Sequence, residues 1–126
     1  MENEDIRFAV YDKNEENIEL TVSYITAYFN DKNIPVTIHR FYDTQGLIDA
    51  FRHINFTALL MGMDGMDEVD TAWTIKKLAA GCSQIIMSNT GDYSMEGYRL
   101  DVFDYWLRPL DQAKINESLE RLNITN

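Results

Sequence analysis

Short apolar runs alternate with longer stretches in which apolar residues recur every three or four positions. "IRFAVY" (6–11) is β-branched and aromatic and predicts a buried strand. Asn14 then offers a helix N-cap, Glu15 and Glu16 place negative charge on the first turn, and Ile18, Val22, Ile25 and Phe29 share one face. That spacing predicts a helix to about Asn30. "VTIHRF" (36–41) alternates as a strand, with Pro35 at its start, where a missing N–H is tolerated. Thr44 can cap a shorter helix that buries Leu47 and Phe51. "TALLMGM" (57–63) predicts a third strand, and Ala72, Ile75 and Leu78 a helix ending at "AAG" with Gly81 as its C-cap. "QIIMS" (84–88) is a fourth strand, "SMEGYRL" a short helix, and "FDYWL" (103–107) a fifth strand. Pro109 starts the last element, a helix with Ile115, Leu119 and Leu122 on one face.

Strand followed by helix, five times over, predicts a doubly wound α/β fold: a five-stranded parallel sheet with helices on both faces. Such sheets gather ligands and chemistry at the carboxyl ends of their strands. Here those ends are Asp12 and Lys13, Gly62 to Asp64, Ser88 and Asn89, and Arg108.

Composition narrows the picture without choosing a function. The chain has 126 residues, 45% hydrophobic and 25% charged, as expected for a single globular domain spanning 1–126. No stretch reads as linker or repeat, and the acidic "MENEDIRF" start lacks the basic and apolar regions of a signal peptide. No apolar run approaches membrane-spanning length, so no membrane association is expected. Cys82 is the only cysteine and can form no intrachain disulfide, which fits a cytoplasmic location. The net charge of −10 repels phosphate backbones and argues against direct nucleic-acid binding.

The enzyme classes common on doubly wound sheets lack their motifs. The first strand is followed by "YDKNEEN", an acidic stretch that repels the phosphate of a flavin nucleotide. There is no GxGxxG string, no P-loop and no nucleophile elbow. His39 and His53 have no partners at metal-ligand spacing, and Cys82 has no histidine partner to activate it. Six methionines read mainly as core filler, with Met63 and Met66 as a candidate contact surface.

"MEGYRLDVFDYWLRPLD" (95–111) and "FYDTQGLIDAF" (41–51) carry a family resemblance. The chain resembles the CheY-like receiver domains of response regulators in two-component phosphorelay signalling, most closely those that precede LytTR-type DNA-binding domains. The resemblance runs from Ile6 to Leu122; any output domain would lie outside this chain. It implies that Asp12 matches the first of two acids that hold a magnesium ion, while Lys13 stands at the second. It places Gly62 at the phosphoacceptor aspartate, Ser88 at the small hydroxyl residue, Tyr105 at the switch aromatic, and Arg108 at the lysine. The Arg108–Pro109 peptide is expected to be cis.

Three of these five polar roles are altered. Phosphoryl transfer needs a carboxylate nucleophile and a divalent cation to offset charge, and magnesium wants hard oxygen ligands. Gly62 supplies no nucleophile, and Lys13 sets a cation beside the metal position. The resemblance therefore implies a degenerate receiver that is not an enzyme, uses no cofactor and binds magnesium poorly. Asp12 is expected to pair with Arg108 or with Lys13. The alternative is a phosphorylated regulator in which Asp64, from "GMDG" (62–65), serves as a displaced acceptor. A protein partner or a second copy would dock on the face of helix four, strand five and helix five, with Tyr98 and Arg99 as anchors.

Overall fold

The computed structural model describes residues 5–122. The start of "MENEDIRF" and both ends of the 1–126 domain lie outside the described residues. Five strands and five helices alternate: β1 (Arg7–Tyr11), α1 (Glu15–Asp31), β2 (Thr37–Phe41), α2 (Thr44–Phe51), β3 (Ala58–Gly62), α3 (Met66–Leu78), β4 (Ser83–Ser88), α4 (Ser94–Leu100), β5 (Asp104–Leu107) and α5 (Gln112–Leu122). The strands form one parallel sheet, as the alternating pattern predicts, and the structure sets their order as β2-β1-β3-β4-β5.

The period of two along the strands divides the core into two layers. Phe8, Val10, Leu60, Ile85 and Met87 pack against Ile18, Ile25 and Phe29 of α1 and Ile115 and Leu119 of α5. Ala9, Tyr11, Leu59, Met61 and Ile86 pack on the other face against Leu47 and Phe51 of α2, Val69, Ala72 and Ile75 of α3, and Leu100 of α4. The central strand β3 is buried at every position, so its sequence reads as a continuous apolar run rather than an alternation. Truncating a side chain there, as in Leu60→Ala, is expected to cost about 2–5 kcal/mol.

Several boundaries differ from the sequence expectations, each for a local reason. Asp43, not Thr44, caps α2: its carboxylate accepts the Gly46 N–H at 2.7 Å. Two adjacent residues had the chemistry, and the one whose backbone stays extended took the role. Helix α3 ends at Leu78 with Ala79 as C-cap; Gly81 lies two residues further on and has no positive φ. The last helix begins at Gln112 instead of Pro109, with the Asp111 carboxylate accepting the Ala113 N–H at 3.2 Å. The Arg108–Pro109 peptide is cis. Met63 is buried and Met66 exposed, so the two do not form one contact surface. At α1 the expected Asn14 cap is in place, accepting the Asn17 N–H at 3.0 Å.

Candidate functional site

The carboxyl ends of β1, β3, β4 and β5 enclose a polar cavity of about 650 Å³ lined by Asp12, Lys13, Gly62, Asp64, Ser88 and Arg108, among others. All eight residues expected at the strand ends, Met63 and Asn89 included, therefore line one cavity. Their pairing is what sequence left open.

Asp12 follows β1 directly and is almost fully buried. Its Oδ1 accepts the Asn14 N–H at 2.8 Å, and its Oδ2 accepts from the Arg108 guanidinium. The pair is shielded, with side-chain exposures of 9% for Asp12 and 15% for Arg108, so each ion would be costly to bury alone. Arg108 is itself fixed at the end of β5 by its N–H, which donates to the Ser88 carbonyl at 2.8 Å. Beneath the pair lies Gly62, the last residue of β3. An added Cβ there would overlap the Asp12 carboxylate, lying 2.8 Å from its Cγ.

Lys13 turns away from Asp12. Its ammonium lies 3.3 Å from Glu68 and 3.7 Å from Asp64. Of the two pairings expected for Asp12, the one with Arg108 is formed. Glu68 is fully buried in the first turn of α3 and also accepts the Tyr11 hydroxyl at 3.0 Å. Hydrogen bonding and attraction to Glu68, with Asp64 adding to them, raise the Lys13 pKa. Burial, reinforced by Glu68, likewise holds the Tyr11 hydroxyl protonated well above its ordinary value. Asp64 is 70% exposed at its side chain and sits at the mouth of the cavity.

Glu68 is the site residue that sequence reasoning missed. A signal for it existed, because Glu68, Ala72 and Ile75 fall at i, i+4 and i+7, a single helix face that the two apolar residues mark as inward. An acid on that stripe requires a buried partner, and Tyr11 and Lys13 supply two.

From the cavity a chain of bonds runs toward α4. The Ser88 hydroxyl accepts the Thr90 N–H at 3.2 Å. The Tyr105 hydroxyl donates to the Thr90 carbonyl at 2.8 Å and accepts the Tyr93 N–H at 3.3 Å. Ser88 and Tyr105 are thus joined through one residue of the β4–α4 loop. Beyond them a groove of about 710 Å³ is lined by Tyr98, Arg99, Asp101, Val102, Asp104 and Leu107, among others. Tyr98 is 83% exposed and Leu107 56%. Arg99 lies 3.6 Å from Glu96 on the same helix.

The remaining candidates are placed apart from this site. His39 lies on β2, its ring edge against Phe56 with centroids 5.1 Å apart. His53 follows α2. Cys82 is buried, and burial raises its thiol pKa to about 12. Among the described residues no group of three or more His, Cys, Asp and Glu side chains has a metal-binding arrangement. No helix among them is long and apolar enough to cross a membrane.

No protein-family model matches the chain, and no curated protein matches it in sequence. Its fold, however, recurs in solved structures. A CheY-like response-regulator receiver domain from Methanospirillum hungatei JF-1 superposes with a TM-score of 0.80 at 13% identity, over 95% of both chains. A putative pilus assembly protein, CpaE, from Burkholderia thailandensis E264 gives 0.78 at 14% identity, over 95% of this chain and 99% of that one. The BeF3-activated receiver domain of DrrB, a Thermotoga maritima protein, gives 0.74 at 13% identity, over 97% and 100%. These likenesses establish a CheY-like, flavodoxin-type α/β fold.

The magnesium ion that this fold family implies does not fit the donor set found here. Both oxygens of Asp12 are engaged by Asn14 and Arg108, an ammonium follows it in sequence, and Gly62 offers no side chain. Arg108 instead offsets the charge of Asp12, and Lys13 lies between Glu68 and Asp64.

Proposed function

We propose that this chain is a receiver-fold signalling domain of the two-component type that acts in the cytoplasm by protein–protein contact, without aspartyl phosphorylation. One observation carries the reading: at the end of β3, where the resemblance puts a phosphoacceptor, stands a glycine beneath the Asp12–Arg108 ion pair. The end of β3 offers no nucleophile, and Asp12 is held by Arg108 instead of being free to hold a cation, which takes both requirements of acyl-phosphate chemistry away from that position. The closeness to LytTR-associated receivers rests on the 95–111 stretch, with 41–51 in support.

The contact surface we assign is α4, β5 and α5. Exposed Tyr98 and Leu107 and the half-buried Val102 give it an apolar centre, and Glu96, Asp101 and Asp104 are offset by Arg99 and Arg121. On a chain of net charge −10, a face carrying both signs is where a second copy or an acidic partner approaches with least repulsion.

The test is a titration with magnesium and then beryllofluoride, a phosphoryl mimic, followed by backbone amide NMR and Trp106 fluorescence. We expect no saturable shift at Asp12, Gly62–Asp64 or Ser88. Saturable shifts that disappear in Asp64→Asn would replace this reading with a phosphorylated switch whose acceptor is Asp64, which shares the cavity.

A further inference from the structure

In the sheet order β2-β1-β3-β4-β5, Arg108 and Asp12 belong to strand ends separated by three ladder steps. At about 4.8 Å per step, their backbones stand roughly 14 Å apart, with the ends of β4 and β3 between them. The ion pair must therefore pass over both intervening strand ends. At β4 the residue is Ser88, small and drawn aside by its bond to Thr90. At β3 it is Gly62, where even a Cβ would overlap the Asp12 carboxylate. Gly62 has no positive φ, so space, not backbone freedom, is what demands glycine here.

We propose that Arg108 is a strap across the carboxyl edge of the sheet, closed through the gap left by Gly62, which ties the N-terminus of α1 to the β4–α4 loop. The proposal rests on the receiver reading above and adds what holds the site in place of a bound ion. One end of the strap is Asp12, whose carboxylate holds the Asn14 N–H, while the Asn14 side chain caps α1. The other end is the Arg108 backbone, which holds the Ser88 carbonyl, and Ser88 in turn holds Thr90 and through it Tyr105. Arginine suits the role better than lysine because its long, planar fork pairs with a carboxylate in a fixed direction. Glycine at 62 and arginine at 108 are then a single linked feature, not two independent losses.

A double-mutant cycle in amide hydrogen exchange tests this on the full chain. Arg108→Met removes the charge and keeps much of the volume; Gly62→Ala inserts the overlapping Cβ. Each single change is expected to speed exchange at Asn14 and Thr90 by about tenfold or more, and the pair together no more than the faster single change. Additive accelerations, or an Arg108→Met protein with exchange at both amides within about twofold of wild type, would overturn the strap. Should Arg108→Met fail to fold, Arg108→Lys takes its place: acceleration at both amides supports the strap, and unchanged exchange rejects it. The two readings fail separately. Beryllofluoride binding to the wild type sinks the phosphorylation-independent function whatever the cycle shows, and additive exchange without such binding sinks only the strap.

Discussion

The main chain of Gly62 lies against the carboxylate of Asp12, so that a side chain on one excludes the present position of the other. A Cβ on Gly62 would stand 2.8 Å from Asp12 Cγ and 3.1 Å from the Tyr11 carbonyl oxygen. The Tyr11 oxygen is backbone and cannot rotate away. Placing an aspartate there by Gly62→Asp alone is therefore expected to destabilise the fold by about 1–3 kcal/mol, as overpacking does, and to leave the chain unreactive toward acetyl phosphate. Urea melts and mass spectrometry check the two halves; a stable protein that gains a phosphoryl group would show that Asp12 and Arg108 separate easily.

Glu68 is expected to matter more for stability than any exposed acid. Glu68→Ala leaves the Tyr11 hydroxyl without its acceptor in a buried site and should cost about 1–3 kcal/mol. Glu68→Gln keeps an acceptor for Tyr11 and should cost less. The ordering in urea midpoints checks this, and equal losses would mean that packing, not the hydrogen bond, dominates.

At the groove beside α4, Tyr98→Ala should change stability by no more than about 0.5 kcal/mol, because the ring is 83% exposed. Combined with Arg99→Ala it should weaken self-association or partner capture, read by sedimentation or pull-down. If both measurements match wild type, the α4–β5–α5 face is the wrong surface.

The alkaline limb of the stability profile follows from three groups. Burial is the main cause of the raised pKa of the Tyr11 hydroxyl, of the Cys82 thiol, at about 12, and of the Tyr28 hydroxyl, also at about 12. Each is higher folded than unfolded, so its contribution is whole below the unfolded values, 9.0 for cysteine and 10.0 for tyrosine, and is lost as pH rises toward the folded values. The thermal midpoint should therefore fall between about pH 9 and about pH 12. Native Cys82 should resist alkylation at neutral pH and react on unfolding. A flat midpoint across that range, or rapid alkylation of the native protein, would contradict the burial.

The architecture was legible because each element announces itself within a few residues. Strands β1, β3 and β4 are apolar runs short enough to exclude a helix, and α1 repeats its apolar positions over several turns. Where boundaries slipped, at Thr44, Gly81 and Pro109, two or more neighbouring residues had suitable chemistry, and backbone geometry chose between them. The strand-end rule alone groups Asp12, Lys13, Gly62, Asp64, Ser88 and Arg108, because parallel topology fixes which ends converge.

Residue order and periodicity alone thus yield the layered α/β fold and the set of residues gathered at the strand ends. Which charge pairs with which was decided only in three dimensions. Lys13 and Arg108 carry the same charge, and Asp12, Asp64 and Glu68 offer the same carboxylate. Nothing along the chain says that arginine reaches across two strand ends while lysine turns toward α3. Packing of α3 on β1 carries Glu68 to Tyr11 and Lys13, and the sheet order sets the span that Arg108 crosses. Periodicity records how one element meets solvent or core; the partners of a buried charge depend on elements distant in sequence, and those distances exist only once the sheet has closed.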